Sequence, residues 1–364
     1  MFSRILYIGF GGKGPQYEWL DLNLIDELRR EGVKVSQISL YRNQTGSEIA
    51  KIISSEIKSF RPDLLLSGLD DDICTDEVLF EITKCSCARV LICFDNLSVP
   101  HIHKKTAKAY DLVWLTSNEN RHLFVQWGAN TIVQPYAANP YLYNPSYGNE
   151  YEYSVCFIGT LYGSRKNKLD AIAASGSSVR VYGKSVMLPI PLTGIVRNPF
   201  EKLEAAARLA SFPIGRAALI AALKKSLIRE KPNALSKIEF SDEEITFSKM
   251  ASIYSKAKLS MNICELWNTY LLKNPVYKLH LRTFEIPMSG GVQVAPRTNE
   301  IETYFEDKTE ILLYESDAEM VDLIKHFSQE RLFTEREKIR TSARRRSVAE
   351  HTWSRRIKRV YQEL

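Results

Sequence analysis

The sequence predicts an α/β protein built from two Rossmann-like domains, each a doubly wound parallel sheet. Three observations carry this reading. The chain has 364 residues, more than the roughly 250–300 that a single hydrophobic core supports. Over the first 135 residues, short apolar runs alternate with helix-period segments. The alternation resumes after a break at 137–150, where Pro140, Asn144, Pro145 and Gly148 favour turns over helix.

In the first half, Arg4–Ile8, Lys34–Ser39, Leu64–Ser67, Val90–Phe94, Leu112–Thr116 and Thr131–Gln134 read as strands, each short and apolar. Helix-period segments such as Leu20–Arg30, Ile49–Ser59 and Asn120–Gln126 separate them. In the second half, Tyr153–Ile158, Ser178–Tyr182, Lys258–Ile263, Val292–Ala295 and Ile311–Tyr314 read as strands. Helices are expected at 164–174, 246–256, 282–289, 316–328 and 335–349. The expected division is 1–140 plus a terminal helix at 350–364, and 150–349. Residues 184–245, with a proline-rich lead-in (Leu188 to Pro191) and an Ala/Leu/Lys-rich stretch, read as a helical insertion.

Composition narrows the function classes. There is no apolar run long enough to span a membrane and no signal-peptide pattern at the N-terminus, so a cytoplasmic protein is expected. A net charge of +6 is too small to call for nucleic acid. The basic residues concentrate at 197–237 (Arg208, Arg216, Lys224 and Lys225 among them) and in the C-terminal run. Such a surface suits anionic ligands or peripheral contact with the inner face of a membrane. The six cysteines show no zinc spacing and are expected to be free, mostly buried thiols.

Several motifs follow strand ends, where open α/β sheets bind ligands. Gly9, Gly11, Gly12 and Gly14 follow the first strand; the group departs from a dinucleotide fingerprint, which leaves a plain turn or a cleft-facing loop at Gly11 and Gly12. Asp70, Asp71 and Asp72 mimic a metal-binding DxD but read better as a capping loop, so no metal site is expected. Asp95 ends a strand, where it is either structural or a contact and general base for an acceptor hydroxyl. His101 and His103, close behind it, are expected at the surface.

The most specific segments lie in the second half. Phe157, Ile158 and Gly159 lead through Gly163 to Arg165 and Lys166: a strand, a glycine turn and a basic helix start suited to phosphate. Asn262 ends another strand. Arg282 to Gly291 contains Pro287, which has no N–H and places the helix start near Leu281–Thr283. Gly290 or Gly291 is the natural stop. Arg282 then sits at the positive helix end, favourable for a diphosphate, and Glu285 one turn inside, suited to ribose hydroxyls. The bland alternative is a surface arginine and a capping acid.

These residues resemble those of group 1, family-4-type glycosyltransferases, and more closely the CgeB-like, spore-maturation branch. The resemblance rests on Phe94-Asp95-Asn96, on Phe157 to Arg165, on Arg282, Glu285, Gly290 and Gly291, and on His351, Thr352, Trp353 and Arg356. It implies GT-B architecture: two Rossmann-like domains around a cleft, with the terminal helix crossing back to the N-terminal domain. It also implies a nucleoside diphosphate sugar held by the C-terminal domain, with Gly159, Arg165 and Arg282 about its phosphates, Glu285 at its ribose and the Gly290–Gly291 turn just beyond; Asn262, at its strand end, is a further donor-binding candidate. The acceptor, a hydroxyl of a glycan, lipid-linked glycan or protein, would lie against the N-terminal domain. No cofactor or obligatory metal is implied. Tyr277 departs from the pattern, standing where the larger family often has a second Glu. Two other functions fit such a fold, a sugar-nucleotide epimerase and a non-catalytic sugar-nucleotide-binding protein.

Overall fold

The computed structural model describes residues 2–12, 15–146, 151–183, 199–228, 238–241, 243 and 245–364. Lys13, Gly14, residues 188–191, Arg197, Arg229, Lys231 and Lys237 lie outside the described residues. The chain divides into two compact units, Met1–Asn139 with Thr352–Leu364, and Pro140–His351.

The first unit holds six parallel strands, β1 (Arg4–Phe10), β2 (Lys34–Leu40), β3 (Leu64–Ser67), β4 (Ala88–Cys93), β5 (Leu112–Leu115) and β6 (Thr131–Val133), in the order β2-β1-β3-β4-β5-β6. β3 and β5 are buried along their whole length, because a doubly wound sheet is covered on both faces. That is why these strands are apolar runs rather than alternating ones. The helix Gly46–Phe60 opens on a capping box between Thr45 and Glu48. Its Ile49 and Ile53 join Leu6, Ile8, Leu65 and Leu91 in the core. The strand order reverses between β1 and β3, which opens a crevice beyond their C-terminal ends.

The terminal helix, Trp353–Glu363, belongs to this unit. Thr352 caps it, and the Glu27 carboxylate accepts from the amides of Trp353 (3.1 Å) and Ser354 (2.6 Å). Trp353 packs edge-on against Trp19 and Phe94, and Arg356 donates to the carbonyls of Pro135 and Tyr136.

The second unit repeats the plan with β7 (Tyr153–Ile158), β8 (Val179–Tyr182), β9 (Ile238–Ser241), β10 (Ala257–Met261), β11 (Gln293–Pro296) and β12 (Leu312–Tyr314), all parallel, in the order β12-β11-β10-β7-β8-β9. Here the reversal falls between β7 and β10. The structure corrects the extent of the expected insertion. Residues 238–241 are a strand of the sheet, and two helices, Pro199–Ala210 and Pro213–Leu227, fall in the connection between β8 and β9. β9 is an edge strand whose side chains are only partly covered, so its sequence lacks the apolar run that marked the others.

Four cysteines are free and buried as expected, but Cys85 and Cys87 are bridged, with Cα atoms 5.4 Å apart. Their position in a short turn brings the two side chains together.

Candidate functional site

Each unit places glycines at its switch point. In the second, β7 delivers Gly159 with φ 143°, a conformation that side chains rarely adopt. A Cβ there would run into the guanidinium of Arg282. Arg282 is the first residue of the helix Arg282–Met288, and its Nε donates to the carbonyl of Ile158. Arg165 opens the helix Arg165–Ala174 and is buried. It donates to the carbonyls of Thr160 (2.7 Å) and Ile263 (3.3 Å).

Both guanidinium carbons lie over the ring of Phe157, at 5.7 Å for Arg165 and 5.6 Å for Arg282. Burial, and then the Arg282 charge among its neighbours, lowers the Arg165 pKa to about 10, so it remains charged at neutral pH. Among the described residues neither arginine is ion-paired with a carboxylate, and the Nε of Arg165 has no hydrogen-bond partner. Two like charges over one ring, met by neutral partners such as carbonyl oxygens and the His280 ring and by no carboxylate, form a site prepared for an anion. Beside them, burial and the charges of Arg165, Lys278 and Arg282 hold His280 well below the usual imidazole range, so it adds no charge at neutral pH.

Asn262 follows β10 and is buried; its Nδ2 donates to Thr283 Oγ1 at 3.0 Å, tying that strand end to the arginine helix, and its Oδ1 has no partner among the described residues. Glu285, one turn into the helix, is also buried and accepts from the hydroxyl of Tyr143 at 2.7 Å. Gly290, at φ 70°, ends the helix as expected. Pro287 lies in the second turn of this short helix rather than the first. Lys166, expected near phosphate, instead pairs with Asp170 at 2.7 Å.

Two features of this unit escaped the sequence reading. Tyr143, inside the expected linker, is buried against Glu285, and Arg344 donates to its carbonyl at 2.6 Å. Glu265 lies opposite Tyr277 in an isolated antiparallel bridge and pairs with the buried Lys168 at 3.1 Å. Its Oε2 has no partner among the described residues. A carboxylate thus stands beside Tyr277, supplied by a different segment of the chain. Glu265 follows Asn262 by three residues after a strand end, but nothing local in the sequence reveals its register with Tyr277.

In the first unit the glycines make room for aromatic rings. Cβ atoms at Gly9 and Gly68 would strike Tyr7, one at Gly11 would strike Tyr41, and one at Gly12 would strike Tyr17. The result is a cavity of about 260 Å³ whose lining includes Tyr7, Tyr17, Trp19, Tyr41, Phe94 and the Asp21–Gln37 pair. Gln37 Nε2 donates to Asp21 at 2.6 Å. Burial, and then the Asp21 charge, holds the Tyr7 hydroxyl above its usual range.

Phe94 and Asn96 have structural duties. The Phe94 carbonyl accepts from Tyr136 (2.5 Å) and Thr116 (2.7 Å), and Asn96 Oδ1 accepts from the amides of Thr116 and Ser117. Asp95 between them is exposed, its carbonyl receiving the amides of Ser98 and Val99. His103 is buried, with its pKa lowered by desolvation, which corrects the surface expectation. The aspartate run is a hydrogen-bonded loop, but the helix after it, Asp76–Thr83, is capped by Thr75 and not by an aspartate. Asp70 pairs with Arg42 at 2.8 Å and accepts from the amides of Asp72 and Ile73, and Asp71 accepts from those of Lys105 and Thr106.

Residues 216–362, which include Asn262, Arg282, Glu285 and Gly290, match the family model described as Glycosyl transferase-like. No curated protein matches the chain by sequence. The fold is similar to that of HepE from Anabaena in complex with UDP, at 12% identity and TM-score 0.58 over 99% of this chain and 100% of that one. HepE in complex with UDP-glucose matches at TM-score 0.56. A glycosyltransferase from Rickettsia africae matches at 11% identity and TM-score 0.58, over 99% and 97% of the two chains. Sucrose-phosphate synthase from Thermosynechococcus elongatus matches at 12% and 0.56, over 99% and 98%. The chain therefore has the fold of the GT-B glycosyltransferases, and its residues 216–362 carry the sequence pattern of the Glycosyl transferase-like family.

Proposed function

We propose that the protein is a glycosyltransferase that moves a sugar from a nucleoside diphosphate sugar to a hydroxyl acceptor. The observation that carries the reading is the pair of carboxylate-free guanidiniums, Arg165 and Arg282, over Phe157 at the β7–β10 switch point. As the glycosidic bond to the donor breaks, negative charge grows on the diphosphate leaving group. Fixed cations that face that charge favour the transition state over the ground state. On this reading the arginines supply what a divalent cation supplies elsewhere, so no obligatory metal is needed. Glu285 takes the ribose hydroxyls, with Tyr143 orienting its carboxylate, and Asn262 lines the same donor site.

The acceptor reading rests on the aromatic cavity of the first unit. Its rings offer flat apolar faces, and Asp21, Gln37 and Ser39 offer hydrogen bonds, a combination that suits a sugar ring. We assign the acceptor as a glycan or lipid-linked glycan with a sugar at its end, Gly11 and Gly12 as the floor of its site, and Asp95 as the candidate base. The motif order supports the CgeB-like branch, and a cytoplasmic location fits a nucleotide-sugar donor. HepE, of similar fold, is seen with UDP and UDP-glucose, so UDP-sugars are the first donors to try.

The test is calorimetric titration with UDP-, GDP-, dTDP- and CMP-sugars, followed by incubation of the bound donor with and without a pool of glycan acceptors. One donor should bind, Glu285→Ala should weaken it about tenfold, a loss of ~1.4 kcal/mol, and sugar should appear on the acceptor. Unchanged donor affinity in Glu285→Ala would sink the ribose assignment. An isomerised sugar nucleotide without acceptor, or binding with no turnover, would replace the transferase reading.

A further inference from the structure

The helix Pro213–Leu227 is built inside out. Its small residues are buried: Gly215, Ala218 and Ala221 face inward, and a Cβ at Gly215 would run into the carbonyl of Leu209 on the preceding helix. Its large residues are exposed: Ile220 at 51%, Leu223 at 68% and Leu227 at 85%. At 3.6 residues per turn, Arg216, Ile220, Leu223 and Leu227 fall within about 60° of arc, opposite the small face. Leu203, on the neighbouring helix Pro199–Ala210, is 70% exposed. Five of the sixteen large apolar side chains exposed among the described residues lie between 199 and 228, so the exposure is concentrated rather than scattered. A helix apolar on both faces is buried in a larger assembly or in lipid.

The charges choose between the two. This helix carries Arg216, Lys224 and Lys225 and no carboxylate. Arg216 donates to the carbonyl of Ala210 and Lys224 to that of Leu271, which holds both cations beside the apolar stripe. A two-fold contact with a second copy would bring the same patch onto itself and set these cations against their own kind. An anionic bilayer offers the complement, with acyl chains for the leucines and headgroups for the cations.

We propose that the exposed face of Pro213–Leu227 docks the protein peripherally on an anionic membrane surface. The leucine stripe enters the interface, and Arg216 and Lys224 meet the headgroups. The proposal does not rest on the transferase reading.

The experiment is co-sedimentation of the full chain with vesicles of phosphatidylcholine alone and of phosphatidylcholine mixed with phosphatidylglycerol. The expected result is binding to the anionic vesicles that weakens with salt and little binding to the neutral ones. Ile220→Ser, Leu223→Ser and Leu227→Ser together should weaken binding at least about tenfold, since apolar burial and headgroup attraction act together. These positions are exposed, and an unchanged thermal melt confirms the fold. Arg216→Glu with Lys224→Glu, which keeps the leucines, should abolish the preference for anionic vesicles. Failure of the wild-type chain to sediment, equal binding to both vesicle types, or wild-type binding by the serine variant would overturn the proposal. A dimer dissolved by the serine variant, without vesicle binding, would overturn it in favour of self-association.

Discussion

The two switch points of this chain occupy the same place in the same kind of sheet, yet they are furnished with opposite chemistry. At β1–β3, glycines yield their side-chain space to tyrosine rings; at β7–β10, Gly159 yields it to a guanidinium. The first crevice is aromatic, with an Asp21–Gln37 pair at its wall. The second gathers two arginines over one phenylalanine. The fold supplies a crevice in both cases. On the proposed function, the side chains that the glycines admit suit the first crevice to a sugar ring and the second to a diphosphate.

The comparison breaks most sharply at the arginines. Arg282→Met should lower turnover of the donor by roughly 10²–10³-fold, the usual cost of removing one fixed donor to a developing oxyanion, while leaving glycan binding to the first unit unchanged. Steady-state kinetics with the donor that the titration identifies, paired with a glycan-binding titration, checks both halves. Loss of both functions together would mean that the two crevices are not chemically separate.

A smaller effect is expected at the aromatic crevice. Gly12→Val forces Tyr17 aside and should raise the acceptor KM about tenfold, the scale of one lost ring contact of ~1.4 kcal/mol. Nucleotide affinity should stay as it is. A fall in nucleotide affinity with the acceptor KM unmoved would reverse the assignment of the crevices.

The last effect falls on stability rather than activity and concerns the helix that completes the first unit. Burial raises the Glu27 pKa from 4.5 to about 7, against the pull of the Trp353 and Ser354 amides. Between those values the folded chain holds a proton that the unfolded chain has released, so Glu27's contribution to stability falls as pH rises from about 4.5 to about 7 and is level above. Glu27→Gln should flatten that part of the stability profile, read by denaturant midpoint across the pH range. An unchanged slope would show that Glu27 is ionised throughout.

Much of the architecture was legible because parallel strands covered on both faces must be continuous apolar runs, as in Leu64–Ser67 and Leu112–Leu115. The arginine helix was legible for a local reason, since Pro287 and Gly290 bracket where it can begin and end. β9 was not, because a partly exposed edge strand needs no such run. Glu265 beside Tyr277, and Lys168 beneath it, were hidden for another reason: their pairing depends on how separate loops return to one strand end.

The amino-acid sequence by itself determined two α/β sheets, the glycines at their strand ends and the arginine that starts the helix after Leu281. These are matters of local sterics and period, written within a few residues of where they act. Only the tertiary structure decided what each glycine makes room for. Only it showed that Tyr143 meets Glu285 from 142 residues away, and that Pro213–Leu227 turns its large side chains outward. Such facts depend on long-range packing, in which a residue's partner is set by the path of the whole chain.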